Sequence, residues 1–157
     1  MNKPNPLQPG MKAPDFSTVD QDGKKYSNVS LFGARYLLYF YPRDHTPGCS
    51  TEACALRDLS ADFIKHHTMT LGVSPDNAKS HRKFIDKHQL PFPLLVDEDH
   101  AIAEAFGVWG EKKFMGRTFD GVHRMSFLVG TDGKIEKTYL KVKPAEHAQQ
   151  VLNDLKD

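Results

Sequence analysis

Runs of hydrophobic residues separated by polar turns divide the chain into short strands and helices. Residues 36–41 form a continuous apolar and aromatic run, with the length and composition of a strand buried on both faces. Residues 68–73, 94–96 and 125–129 are three further candidate strands. None of these runs approaches the roughly 20 apolar residues that a membrane helix needs, so we expect no association with a membrane.

Helical patterns alternate with these strands. The first begins at Pro47, and its apolar residues fall near one helical face: Ala53, Leu56, Leu59 and Phe63. Residues 77–88 and 101–105 predict two more helices, and Pro144 is expected to open the last one.

Turn signals predict two β-hairpins, one near each end of the chain. The first lies within residues 15–27, and the second joins residues 125–129 to residues 135–139. Residues 108–121 contain three glycines and the only tryptophan, and we expect them to be irregular. Residues 1–10 contain three prolines and are expected to form an extended leader.

This order of elements predicts an α/β fold with a mixed central β-sheet, helices on its faces and an N-terminal β-hairpin. It is typical of a thioredoxin-like fold, and we expect a single domain over residues 1–157. In open α/β sheets the working site lies beyond the carboxyl ends of the strands, and the loop after Tyr41 is expected there.

Composition and charge narrow the class of protein. The chain is 39% hydrophobic and 26% charged, which is typical of a globular domain. Its net charge of +1 does not indicate a surface that binds nucleic acid, so we expect no nucleic-acid partner. Its N-terminal residues do not resemble a secretory signal, and two cysteines are too few for a disulfide-rich scaffold. We therefore predict a cytoplasmic protein, where a cysteine pair is more often catalytic, redox-active or metal-binding than structural.

Cys49 follows a sequence that is typical of a helix start. Thr46 suits the N-cap and Pro47 the first helical position, so Cys49 falls in the first turn. There the unpaired backbone N–H groups and the positive end of the helix dipole favour a thiolate, which is the nucleophilic form. The alternative is that Cys49 is a small buried hydrophobic residue.

Cys54 lies five residues after Cys49. In a continuous helix their Cα atoms are roughly 8–9 Å apart, beyond the ~7 Å limit for a disulfide. Two interpretations stay open: the cysteines are unrelated, or the first turns unwind so that a disulfide forms. A metal site is a weaker alternative, because the two cysteines and eight histidines show neither C-x2-C nor H-x3-H spacing.

Several short segments carry a family resemblance. Residues 42–49, PRDHTPGC, match a P-x-x-x-T-x-x-C signature, and Cys54 completes a C-x4-C pair. Further matches are GMKAPDF at residues 10–16, FGVWGEK at 106–112 and GVHRMSFL at 121–128. Together, in this order and at this spacing, they resemble the peroxiredoxins, in particular the bacterioferritin comigratory protein or Q-type subfamily.

The resemblance implies a thiol-dependent peroxidase that reduces hydrogen peroxide and organic hydroperoxides in antioxidant defence. Cys49 is then the peroxidatic cysteine, which becomes a sulfenic acid, and Cys54 is the resolving cysteine, which forms an intramolecular disulfide with it. Thioredoxin or a similar dithiol would reduce that disulfide. The resemblance also implies a monomer that needs no metal or organic cofactor.

The same resemblance gives roles to residues around Cys49. The Thr46 hydroxyl would hold a peroxide oxygen, Pro42 would shield the thiolate from water, and Arg124 would stabilise the thiolate and the departing oxygen. Without the resemblance these three residues are an N-cap, a strand terminator and a surface arginine. Glu52 either orients Arg124 or is an acid favoured by the helix dipole.

Two other functions compete with the peroxidase. One is a non-catalytic binding module with the same fold, and the other is an oxidoreductase for protein disulfides, which usually carries C-x-x-C. Thr46 and Arg124 favour the peroxidase, because neither alternative function needs side chains that bind a peroxide. We expect Phe114 and Met115 to fold over the core rather than to dock a reductant.

Overall fold

A central five-stranded sheet organises the computed structural model, which describes residues 3–156. Met1 and Asn2, the first residues of the expected leader, lie outside the described residues, as does Asp157. The strands are β1 (Ser17–Val19), β2 (Lys25–Ser27), β3 (Arg35–Phe40), β4 (Thr68–Ser74), β5 (Leu94–Val96), β6 (Trp109–Phe114), β7 (Arg117–Val122), β8 (Met125–Val129) and β9 (Ile135–Tyr139). The helices are α1 (Asn28–Leu31), α2 (Pro47–Asp58), α3 (Ser60–Lys65), α4 (Ala78–His88), α5 (Ala101–Ala105) and α6 (His147–Lys156).

Strand β3 lies in the middle of this sheet, whose order is β5-β4-β3-β8-β9. Strands β3, β4 and β5 are parallel, whereas β8 is antiparallel to β3 and β9 is antiparallel to β8. The sheet is therefore mixed, and helices pack against it, which confirms the predicted α/β class. Within residues 3–156, no helix combines the length and the apolar character that crossing a membrane requires.

The side chains of β3 alternate between two hydrophobic cores, one on each face of the sheet. Leu38 and Phe40 belong to one core, and Leu37 and Tyr39 belong to the other. This is why the run reads as continuously apolar in the sequence. The second core also contains Cys49, so the first turn of α2 packs against the sheet.

Both predicted hairpins are present, as β1-β2 and β8-β9. A third hairpin, formed by β6 and β7, shows that the prediction of an irregular stretch over residues 108–121 was wrong. Its turn is made by Met115 and Gly116, whose φ angles of 51° and 78° suit a two-residue hairpin turn. Half of its strand residues are exposed and two are buried, so the apolar alternation that identifies a strand is weak.

The tip of this β6-β7 hairpin is apolar and faces solvent. Phe114 is 65% exposed and Met115 is 85% exposed, so the expectation that they fold over the core was wrong. Phe114 ends β6 and Met115 begins the turn, so both lie at the tip of the hairpin.

Two helix boundaries also differ from the prediction. The helix expected to continue through residue 63 divides at Leu59, which lies between α2 and α3 with φ −104° and ψ 5°. Pro144 does not open α6, which begins at His147. The N–H groups of Glu146 and His147 both donate to the carbonyl of Lys143, so Pro144 lies in a separate turn before the helix.

The N-terminal segment runs beside the chain that follows α5. Residues 3–8 contain neither helix nor strand, and the N–H of Asn5 donates to the carbonyl of Gly107 at 2.9 Å. Gly107 has a φ of 78°, and a Cβ atom there would lie 2.0 Å from the Asn5 oxygen. Only glycine permits this close approach of the two backbones.

Candidate active site

Cys49 lies at the carboxyl end of β3, where the loop of residues 41–46 leads into α2. Pro47 occupies the first position of this helix, as predicted, so Cys49 is its third residue and lies in the first turn. The side chain is 2% exposed, and the thiol is free. The backbone N–H groups of a first helical turn lack carbonyl partners within the helix, so the sulfur lies in a region of positive potential.

Arg124 brings a full positive charge to the same sulfur. It directly precedes β8, and the pairing of Met125 with Phe40 places it beside the loop that leaves β3. Its Nη2 donates to Cys49 Sγ at 3.2 Å, and its Nη1 donates to Glu52 Oε1 at 2.7 Å. One guanidinium therefore joins the cysteine and the glutamate that lie one helical turn apart on α2.

Glu52 is fully buried, and only one of its two carboxylate oxygens has a partner. Burial raises the pKa of Glu52 to about 7, although the charge and the hydrogen bond of Arg124 oppose that rise. For Arg124 itself, burial lowers the pKa, but Glu52 and Cys49 outweigh burial and the pKa is raised. Glu52 Oε2 is buried without a hydrogen-bond partner among the described residues. Glu52 therefore changes its charge near neutral pH while it holds Arg124 beside the cysteine.

Thr46 occupies the N-cap position that was predicted, but its side chain does not cap the helix. Its hydroxyl instead donates to the carbonyl of Arg43 at 2.9 Å. The oxygen keeps its lone pairs, so it can still accept a hydrogen bond from a ligand. Pro42 lies in the bend that starts this loop and is half-buried. Shielding of the thiolate by Pro42 stays a prediction.

Cys54 lies in the same unbroken helix as Cys49, and both thiols are free. Cys54 is partly exposed, and its Sγ lies 3.5 Å from Nδ1 of His88, the last residue of α4. The two sulfurs thus face different partners, Arg124 for Cys49 and His88 for Cys54. The continuous helix is the geometry for which the sequence predicts that a disulfide requires unwinding.

Comparison with known proteins decides the family. The AhpC/TSA family matches residues 9–138. Peroxiredoxin Bcp of Escherichia coli strain K12 is 48% identical over 153 residues, which cover 98% of each chain. Peroxiredoxin Bcp of Bacillus subtilis strain 168 is 43% identical over 151 residues, which cover 96% of each chain. A structure of Xanthomonas campestris Peroxiredoxin Q superimposes with a TM-score of 0.86 at 35% identity, covering 98% of this chain and 96% of that one.

The chain is a peroxiredoxin of the AhpC/TSA family. Its fold is accordingly thioredoxin-like, and it is a thiol-dependent peroxidase, an oxidoreductase. The resemblance to the bacterioferritin comigratory protein subfamily is confirmed. The family favours the peroxidase over a non-catalytic binding module and over an oxidoreductase for protein disulfides.

This peroxiredoxin also has a buried hydrogen-bond network that joins the active-site loop, residues 41–46, to α4 and that was not predicted from the sequence. Asp44 accepts hydrogen bonds from the Tyr41 hydroxyl at 2.6 Å and from the Ser80 hydroxyl at 2.8 Å, and it pairs with His81 Nδ1 at 2.7 Å. Burial raises the pKa of Asp44, but the bond and charge of His81 outweigh burial, and the pKa is lowered. The sequence holds no signal for this network, because Asp44 and His81 are brought together only by the fold.

The same network contains side chains that are common metal ligands. Among the described residues, one group of potential ligands has its atoms within 4.8 Å of one another: Asp44, Asp76 and His81. Each of them already has hydrogen-bond partners within the protein, and His81 Nε2 lies 2.9 Å from the carbonyl oxygen of Leu95. Hydrogen bonding alone therefore accounts for this cluster.

Gly48 is a further residue whose role the sequence did not reveal. A Cβ atom at this position would lie 3.1 Å from Arg124 Nη2, the same nitrogen that donates to Cys49. The glycine therefore leaves room for the guanidinium above the first turn of α2.

Proposed function

We propose that Cys49 is the peroxidatic cysteine and that this enzyme reduces hydrogen peroxide and organic hydroperoxides. The observation that supports this most directly is the pair of bonds from Arg124, one to the Cys49 sulfur and one to Glu52. A fixed guanidinium beside a buried thiol stabilises the anion that attacks peroxide. The relative in Xanthomonas campestris is described as having alkyl peroxide reduction activity, and its structure matches this chain with a TM-score of 0.86.

In the first step the Cys49 thiolate attacks the terminal oxygen of the peroxide. A sulfur–oxygen bond forms, the oxygen–oxygen bond breaks, and the departing oxygen takes up a proton to leave as water or an alcohol. Arg124 stabilises the negative charge that moves from the sulfur to the departing oxygen. The Thr46 hydroxyl holds the peroxide, and Pro42 limits access of water to the thiolate.

In the second step Cys54 resolves the Cys49 sulfenic acid to an intramolecular disulfide, and water leaves. Because both cysteines lie on α2, the first turns of the helix unwind to bring the sulfurs together. Thioredoxin or a similar dithiol then reduces the disulfide by thiol–disulfide exchange. This recycling requires a reducing compartment, so we place the enzyme in the cytoplasm. We also propose that it acts as a monomer, as the family resemblance implies.

Substitution of Cys49 tests the first step. Cys49→Ser is expected to abolish peroxide consumption, because a serine hydroxyl does not ionise near neutral pH. The assay follows the loss of hydrogen peroxide and of an alkyl hydroperoxide with thioredoxin and its reductase present. Turnover at a sizeable fraction of the wild-type rate would show that Cys49 is not the nucleophile.

Substitution of Cys54 is the matched control, because it removes the second thiol and leaves the first. Cys54→Ser is expected to consume one equivalent of peroxide and then to hold Cys49 as a sulfenic acid, which mass spectrometry detects. Undiminished steady-state recycling by thioredoxin would contradict the resolving role of Cys54.

A further inference from the structure

The sulfur of Cys54 has a titratable partner that the reaction of Cys49 does not use. Nδ1 of His88 lies 3.5 Å from Cys54 Sγ. His88 ends α4, and Gln89 then turns the chain away with a φ of 54°. The contact joins two helices, because Cys54 lies on α2.

Two further contacts position His88, one at its backbone and one at its ring. Nη1 of Arg57, one turn after Cys54 on α2, donates to the backbone carbonyl of His88 at 2.8 Å. The ring of Phe84 meets the ring of His88 edge-on, with centroids 5.0 Å apart. His88 Nε2 is buried without a hydrogen-bond partner among the described residues. The ring is therefore fixed, and Cys54 is the polar group that its Nδ1 faces.

The surroundings of His88 keep the imidazole neutral at pH 7. Burial lowers its pKa, and electrostatic interactions with Lys87, Arg57 and His45 lower it further. Lys87 is on the same helix, Arg57 is on α2, and His45 is on the active-site loop. A neutral imidazole has one nitrogen with a free lone pair, which can accept the proton of a thiol.

We propose that His88 is the general base that activates Cys54 for disulfide formation. The inference rests on the proposed function, in which Cys54 attacks the sulfenic acid of Cys49. As the Cys54 sulfur attacks, its proton passes to His88 Nδ1, the new sulfur–sulfur bond forms, and the sulfur–oxygen bond of Cys49 breaks. The departing hydroxide takes up a proton and leaves as water, and loss of the proton from Nδ1 restores neutral His88.

This role is compatible with unwinding of the helix. Arg57 ties the second half of α2 to the end of α4, so Cys54 stays beside His88 when the first turn of α2 opens. The mobile partner is then Cys49, which leaves Arg124 after its oxidation. Each sulfur is thus activated by a separate side chain, and the two activations act on separate steps.

A single-turnover experiment with His88→Asn tests the proposal. Asparagine can place an amide group near the position of Nδ1, but it cannot accept a proton from a thiol. After mixing with one equivalent of peroxide and rapid quenching, mass spectrometry separates the sulfenic acid from the disulfide. We expect oxidation of Cys49 at the wild-type rate and disulfide formation slowed on the order of tenfold or more at pH 7. His67→Asn, at an exposed histidine after α3, is the matched control and is expected to change neither rate.

The pH dependence separates a general base from a merely structural residue. Ordinary thiols ionise without assistance above about pH 8.5, so the defect of His88→Asn is expected to shrink as the pH is raised past that value. Disulfide formation at the wild-type rate at pH 7, or a defect that is equal at pH 7 and pH 9.5, would overturn the role of His88. If Cys54 is not the resolving cysteine, the result is different. The Cys49 sulfenic acid would then disappear from Cys54→Ser as fast as it does from the wild type.

Discussion

At the scale of single residues, Glu52 makes the site sensitive to pH. The folded protein retains the Glu52 proton up to about pH 7, whereas an unfolded chain loses it near the ordinary value of 4.5. Between these values the folded state binds more protons than the unfolded state. The contribution of Glu52 to the free energy of unfolding therefore falls as the pH rises from about 4.5 to about 7.

Glu52→Gln removes this titration and keeps the shape of the side chain. We expect the variant to gain stability relative to wild type as the pH rises through that window, because it carries no buried charge that forms there. Urea denaturation of both proteins at several pH values between 4.5 and 8 measures the difference. A difference in the free energy of unfolding that is constant across this range would contradict the raised pKa of Glu52.

Gly48 determines how closely Arg124 approaches the sulfur. In Gly48→Ala the new Cβ atom would lie 3.1 Å from Nη2 of Arg124, so the guanidinium has to shift away from Cys49. We expect kcat/KM for peroxide to fall about tenfold, equivalent to about 1.4 kcal/mol in the barrier. The free energy of unfolding is expected to stay equal or to rise, since alanine is the better helix former. Ser50→Ala, in the same helical turn, is the control, and an equal kcat/KM in both variants would contradict the argument.

At the scale of elements, α2 has to be stable enough to hold Cys49 and weak enough to open. The reduced helix is continuous from Pro47 to Asp58, and a disulfide between residues five apart does not fit that geometry. We expect the amides of the first turns of α2 to exchange faster with solvent deuterium after oxidation, while those of α4 stay protected. Mass spectrometry of peptides from both helices measures this. Identical exchange in the reduced and oxidised proteins would rule out unwinding.

The sequence predicted the buried strands of the sheet from their apolar runs and the more exposed strands β1, β2 and β9 from the turn signals beside them. β3 and β8 are apolar because they lie in the centre of the sheet, and β5 is a short apolar segment between turns. The β6-β7 hairpin was missed because it is separate from the central sheet and buries few side chains. Its sequence therefore lacks the alternation of apolar and polar residues that identifies a strand. The boundaries of α3 and α6 depend on local turns that apolar spacing does not encode.

The features of the site that depend on neighbouring residues could be predicted from the sequence. The contacts between residues that are distant in the sequence could not. Pro47 identified the helix start, so the place of Cys49 in the first turn followed from neighbouring residues. Arg124 lies 75 residues away from Cys49, and only the family resemblance connected the two. The contact of Cys54 with His88 joins two helices and had no signal in the sequence.

At the scale of the whole molecule, the buried carboxylate of Asp44 joins the active-site loop to the body of the protein. It connects the end of β3, through the Tyr41 hydroxyl, with α4, through Ser80 and His81. The other nitrogen of His81 lies 2.9 Å from the carbonyl oxygen of Leu95 on β5. The position of the loop before Cys49 thus depends on Ser80, His81 and Leu95, which take no part in the reaction themselves.

Removal of His81 tests this dependence. Both side chains of the pair with Asp44 are fully buried, so His81→Ala leaves a buried carboxylate without its main partner. We expect a loss of about 3–5 kcal/mol in the free energy of unfolding, measured by urea denaturation at pH 7. Ser80→Ala removes only a hydroxyl from the same carboxylate and is expected to cost about 1.5–3 kcal/mol. A loss in His81→Ala no larger than that in Ser80→Ala would contradict the importance of the pair.

The dependence of the free energy of unfolding on pH below about 4 gives a second test of the pair between Asp44 and His81. In wild type the pKa of Asp44 is lowered, so its contribution to stability is present above the ordinary value of 3.8 and is lost as the pH falls through the lowered pKa. Without His81 the carboxyl of Asp44 loses the largest contribution that lowers its pKa, and the acid sensitivity that comes from this pair is expected to disappear. Since the loop also carries Thr46, His81→Ala should reduce kcat/KM for peroxide at temperatures where the variant is folded. Wild-type kcat/KM together with a large loss of stability would show that the network supports the fold without positioning the loop.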